Sequence, residues 1–227
     1  REGLADLPNA IKEVQQIAEI TNGDAWVGEK ATEQRFKAIA SDYQVLHLSM
    51  HGLLDDGNPL FSYLLFTENV DTVEDDQLTV LEIYNMKIQA DLAVLSACNT
   101  GFGQIDKGEG VMSLSRAFAY AGCPSMVMSL WSVPDKSTSE IMVDFFESLK
   151  TTATTKSEAL RQAKLLYLED SDLLLSHPVF WAGFVAMGDN TPFEWTATTP
   201  FKYWWWLGIG VFVVVLWWTL KSRNENK

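Results

Sequence analysis

The chain has 227 residues, 47% of them hydrophobic and 21% charged, enough for one good-sized domain whose core needs no disulfides. Its formal net charge of -13 argues against a phosphate-binding surface, and so against nucleic acid as a partner. Two cysteines, Cys98 and Cys123, with no CxxC pair, exclude a disulfide framework and a zinc ribbon.

The chain opens on Arg1 with neither an initiator Met nor a charged-then-apolar leader, so it reads as a piece of something longer. Residues 9 to 20 place Ile11, Val14, Ile17 and Ala18 at helical spacing, with a stop at Asn22-Gly23. A second helix fits 32 to 40, with Phe36 and Ile39 inward. YQVLHLSM, 43 to 50, is a buried strand running into the turn-rich HGLLDDGNP. YLLFT, 63 to 67, is another strand, and an acidic loop, 68 to 77, leads to a helix around 78 to 86. Then come the strand DLAVLSA, a helix from 110 to about 121 and the strand SMVMSL, 125 to 130. Helices near 136 to 150 and 156 to 168 follow, and VFWAGFVAM, 179 to 187, closes the sheet.

Residues 191 to 202, which include TATTP, read as a linker. YWWWLGIGVFVVVLWWTL, 203 to 220, carries no charge and as a helix spans roughly 27 Å, close to a bilayer core. Trp204, Trp205 and Trp206 at one end and Trp217 and Trp218 at the other suit the two interfaces, so a transmembrane helix is expected rather than a buried core helix. Lys221, Arg223 and Lys227 put the short basic tail, 221 to 227, in the cytoplasm and the globular part on the extracytoplasmic side.

Strands alternating with helices imply an α/β fold with a mostly parallel sheet covered on both faces. In such a sheet the C-terminal strand ends share one edge, where ligands bind. Three of those ends carry chemistry: His51-Gly52, Cys98-Asn99, and Trp131 through Asp135. An imidazole can take a thiol's proton and return it to a leaving amine, roles open to His51 and Cys98. The Gly52 and Cys98 N–H groups are candidates to hold an oxyanion. Asp135 can floor a pocket for a Lys or Arg side chain, with Trp131 as an apolar wall; equally, it is an ordinary acid at a helix N-terminus. A lone strand-end cysteine is commonly an inert small hydrophobe, and composition does not choose between the readings.

Other residues have plainer readings. Cys123 is explained by packing, and His47 as a buried, hydrogen-bonded histidine, since it stands about 13 Å along the strand from His51, too far to share a metal. His177 has no evident partner. GFGQIDKGEG, 101 to 110, has Glu109 where a phosphate loop wants Lys, so it reads as a mobile loop beside the cleft. Glu68, Asp71, Glu74, Asp75 and Asp76 lack calcium-loop spacing and read as a solvated face. No cofactor and no metal are expected.

VLHLSMHG, 45 to 52, and LAVLSACNTGFGQIDKGEGVMSLSRAFAYAGCPSMVMSLWSVPD, 92 to 135, with HPVFWAGFVAMGD near the end, resemble a CHAT domain. LPNAIKEVQQIAEI and GEKATEQRFK match the usual run-in to the histidine strand. This is the caspase-like module related to separase, legumain and gingipain, and the resemblance runs from about Leu7 to Gly188. It implies a caspase-like three-layer sandwich over residues 1 to 190, lacking its N-terminal portion. It further implies a His51–Cys98 dyad and, by similarity to separase, cleavage after Arg or Lys with Asp135 in the specificity pocket. Such domains commonly follow tetratricopeptide repeats. The resulting expectation is a membrane-anchored cysteine endopeptidase acting on protein or peptide substrates and regulated by upstream repeats. The alternative is a non-proteolytic signalling or scaffold module that keeps the peptidase fold.

Overall fold

The computed structural model describes residues 7–55, 57–69, 74–96, 109–152 and 155–195, the segment 109–112 as backbone only. The chain divides into two compact units, Arg1–Glu194 and Trp195–Lys227. Apart from Trp195 the second unit, with the expected membrane helix at 203 to 220 and the basic tail, lies outside the described residues. Among the described residues no helix is long and apolar enough to cross a membrane.

In chain order the first unit contains α1 (Pro8–Thr21), α2 (Glu33–Ile39), β1 (Val45–Leu48), β2 (Gly52–Leu53), β3 (Tyr63–Leu65), β4 (Gln77–Thr79) and α3 (Val80–Asn85). These are followed by β5 (Leu92–Leu95), α4 (Glu109–Ala121), β6 (Ser125–Ser129), α5 (Asp135–Thr151), α6 (Lys156–Asp170) and β7 (Phe184–Gly188). The main sheet has the order β1-β5-β6-β7, with β1, β5 and β6 mutually parallel and β7 antiparallel to β6.

Every residue of β5 and β6 is buried, so apolar side chains can occupy both faces of the sheet. Leu46, Leu48, Ala93, Leu95, Met126 and Met128 share one core cluster with Ile83, Leu114 and Phe118 of α3 and α4. The alternate residues Leu92, Val94 and Val127 face the other way, toward the layer in which α5 packs between α1 and α6. Helix, sheet and helix thus form three layers, and the mostly parallel sheet fits a caspase-like fold.

A second, antiparallel sheet has the order β2-β3-β4 and springs from the end of β1. Sequence periodicity foresees only its middle strand, because β2 and β4 have two and three residues, too few for alternation to register. Asp76, at φ 63, turns the chain into β4, and its carbonyl accepts from Phe66 N at 2.9 Å. Asp76 is buried and Glu74 is half-buried and paired, which corrects the reading of the acidic loop as a solvated face at those two positions, while Glu68 and Asp75 are exposed.

The two outer edges of the main sheet differ. Leu92 N donates to Gln44 O and Ser96 N to Leu48 O, so even-numbered residues of β1 bond inward to β5. Val45, His47 and Ser49 then turn their backbone groups outward into a groove of about 270 Å³ between α1 and α2. Ile11, Val14 and Ala18 of α1 line that groove, and Ile11 is accordingly 49% exposed rather than in the core. The stripe of α1 that is fully covered is instead Ala10, Glu13 and Ile17. At the opposite edge Lys164 Nζ donates to the outward carbonyl of Phe184 at 2.6 Å, covering it with a charged side chain.

Candidate active site

Parallel pairing puts the C-terminal ends of β1, β5 and β6 on one edge. His51 lies three residues beyond β1, half-buried, and its carbonyl accepts from Leu65 N at 2.8 Å. That bond makes Gly52 and Leu64 a non-hydrogen-bonded pair of the β2–β3 ladder, so the Gly52 N–H points away from β3. The hairpin therefore fixes the backbone at His51 while leaving the neighbouring amide off its own ladder.

Cys98, with Asn99, Thr100 and Gly101, lies outside the described residues. The last described residue before it is Ser96, whose N–H donates to Leu48 O at 3.1 Å. The chain thus leaves β5 hydrogen-bonded to β1, two positions before the cysteine on one strand and three before His51 on the other.

Asp135 opens α5 just beyond β6 and is half-buried. Its Oδ2 accepts two hydrogen bonds from the first turn of α1, from Asn9 N at 2.8 Å and from Asn9 Nδ2 at 2.7 Å. One carboxylate thus stands at two helix N-termini, where negative charge is favourable. Trp131 is half-buried; its Nε1 donates to Val179 O at 2.9 Å, and a Cβ built at Gly183 would come within 2.9 Å of its ring. Only glycine at 183 lets the indole lie this close to the backbone.

Beneath this edge, His47 Nε2 meets Glu13 Oε1 at 2.7 Å, with the His47 side chain 8% exposed and Glu13 fully buried. His47 also stacks edge-on against Phe146, 5.3 Å between centroids. The sequence indicated a hydrogen-bonded His47 but not its partner, because Glu13 reads there as an ordinary polar residue of an amphipathic helix. Asn9 was missed likewise; its one signal is its place beside Pro8 at a helix start. His177 Nδ1 accepts from Val179 N and caps a 3-10 turn. Cys123 is 2% exposed, its thiol donates to the Ser125 carbonyl, and burial pushes it up to about 11.

Glu33, Glu74 and Glu82 bring a carboxylate oxygen each within 4.8 Å of one another. Lys37 Nζ stands among them at 2.6, 2.6 and 2.8 Å, a tethered cation where a metal ion would sit. Burial raises Glu33 above the usual carboxylate range. Burial also opposes the charge on Lys37, yet the hydrogen bonds it donates to the three carboxylates outweigh it and hold the ammonium well above its ordinary value.

The fold and edge define a peptidase-related α/β protein of the caspase-like type. The CHAT domain model matches residues 2–189, and the chain belongs to that family. It is also similar to tetratricopeptide repeat protein 28 of Mus musculus and of Homo sapiens, 25% identical to each over 215 residues and with 81% of this chain covered. The chain spans 9% and 8% of the length of those relatives.

Proposed function

We propose that this chain is the peptidase module of a cysteine endopeptidase that cleaves protein substrates after Arg or Lys. The observation that carries the reading is the parallel pairing of β1 with β5, since one strand leads to His51 and the other to Cys98. The His51 imidazole takes the Cys98 thiol proton, and the sulfur forms a bond to the scissile carbonyl carbon while the carbonyl electrons move onto oxygen. Backbone amides, Gly52 and Cys98 among them, hold that oxyanion. Collapse breaks the C–N bond, and the imidazolium protonates the departing amine. Water, deprotonated by the same imidazole, then hydrolyses the thioester. Asp135 receives the basic side chain and Trp131 walls the pocket.

Residues 203 to 220 anchor the module in a membrane, with the domain on the extracytoplasmic side, and tetratricopeptide-type repeats upstream regulate it. The names of the two curated relatives support the presence of such repeats. The test is cleavage of Arg- and Lys-ended reporter peptides by the full-length chain. Cys98→Ala abolishes it without unfolding the protein; turnover that survives this substitution sinks the assignment.

The same relatives favour a second reading, because their names speak of repeats and not of proteolysis. In it the module is a binding scaffold. A thiol-reactive substrate analogue separates the two: an enzyme is labelled at Cys98 in preference to Cys123, a scaffold at neither.

A further inference from the structure

We propose that Asn9 sets the Arg-against-Lys selectivity of the basic pocket by saturating one oxygen of Asp135. The inference rests on the reading of Asp135 as the pocket acid. A carboxylate oxygen offers about two acceptor sites. On Oδ2 of Asp135 both are taken, by Asn9 N at 2.8 Å and Asn9 Nδ2 at 2.7 Å. Oδ1 accepts no hydrogen bond from any described residue.

The two basic side chains need different things from that acid. A Lys ammonium is a point charge satisfied by a single oxygen, whereas the Arg guanidinium gains most from a fork that engages both oxygens in parallel. With Oδ2 full, the fork has nowhere to place its second N–H. The pocket in this state receives Lys and Arg through Oδ1 alone, and the usual advantage of Arg is lost. Removing the Asn9 amide opens one site on Oδ2 while the backbone N–H keeps the other, and the fork becomes possible. Asn9 is thus a positioning residue that acts through Asp135, and it ties selectivity to the first turn of α1.

The test is equilibrium binding of otherwise identical peptides ending in Arg, Lys or Leu to the full-length chain carrying Cys98→Ala, by calorimetry. With Asn9 present, the Arg and Lys peptides bind within a few-fold of one another. Asn9→Ala and the nearly isosteric Asn9→Leu each raise the Arg-to-Lys ratio about tenfold, the worth of one charge-assisted hydrogen bond. A merely structural role for Asn9 weakens all three peptides together and leaves the ratio where it was; thermal unfolding confirms that both variants are folded. If the Asn9 variants leave the ratio unchanged while Asp135→Asn weakens the basic peptides, the selectivity inference fails and the pocket stands. If Asp135→Asn changes nothing, or neither basic peptide binds better than the Leu peptide, the pocket reading falls and takes this inference with it.

Discussion

Glu13 and His47 form a buried pair whose two single substitutions should be far from additive. His47→Leu leaves Glu13, fully buried, with neither carboxylate oxygen partnered, since Oε2 already lacks a hydrogen bond. Breaking a buried pair from one side costs about 3–5 kcal/mol. Glu13→Leu leaves the buried His47 Nε2 without its partner, so its cost is that of an unsatisfied buried polar group, about 1–3 kcal/mol. The double substitution removes both polar groups beside Phe146 and leaves apolar side chains of comparable volume. It should fall within about 1–2 kcal/mol of the parent, giving a coupling energy of several kcal/mol. Urea unfolding followed by tryptophan fluorescence measures all four corners of the cycle. Costs that add to within about 0.5 kcal/mol would show that the 2.7 Å contact does not bind α1 to β1 and would refute the reasoning.

Cys123 should resist a neutral thiol reagent in the native protein at pH 8 and react only once urea exposes it, because burial holds its thiol near 11; mass spectrometry of labelled peptides reads this directly. Asp144 on α5 is pushed up to about 6 by burial, with Glu147, Asp170 and Glu140 adding repulsion. Its folded value lies above the unfolded one, so the folded state binds more protons between about 4 and 6, and stability falls as pH rises through that window. Asp144→Asn should therefore stabilise the chain at pH 7 by about 1 kcal/mol, after discounting for partial exposure, and by nothing below about pH 4. Equal gains at both pH values would remove the titration as the cause.

Much of the main sheet was legible in the sequence because β1, β5 and β6 are dense apolar runs between helical patterns, the signature of buried parallel strands. The sharing of one edge by His51 and the chain leading to Cys98 followed from that alternation alone. What the sequence hid falls into two kinds. The β2-β3-β4 sheet has strands too short to show a period. The polar contacts Asn9–Asp135 and Glu13–His47 join residues 126 and 34 positions apart, and no local pattern encodes a pairing at that distance. The same remoteness explains why Asp135 read equally well as a helix-start acid and as a pocket floor: it does stand at helix starts, but one of the two helices comes from the other end of the domain.

Those two contacts are not independent, because Asn9 and Glu13 are four residues apart on α1 and so lie on one face of the helix, a turn from each other. Asn9 grips the exit of β6 through Asp135, and Glu13 grips β1, the strand that leads to His51. The intervening backbone is a regular helical turn, which shifts as a unit because its residues share the same hydrogen-bond ladder. A displacement of α1 large enough to release Asp135 must therefore strain the Glu13–His47 contact as well, and the contact most costly to break resists the movement that would free the other. A force applied at Leu7 would reach Asp135 and the histidine strand together.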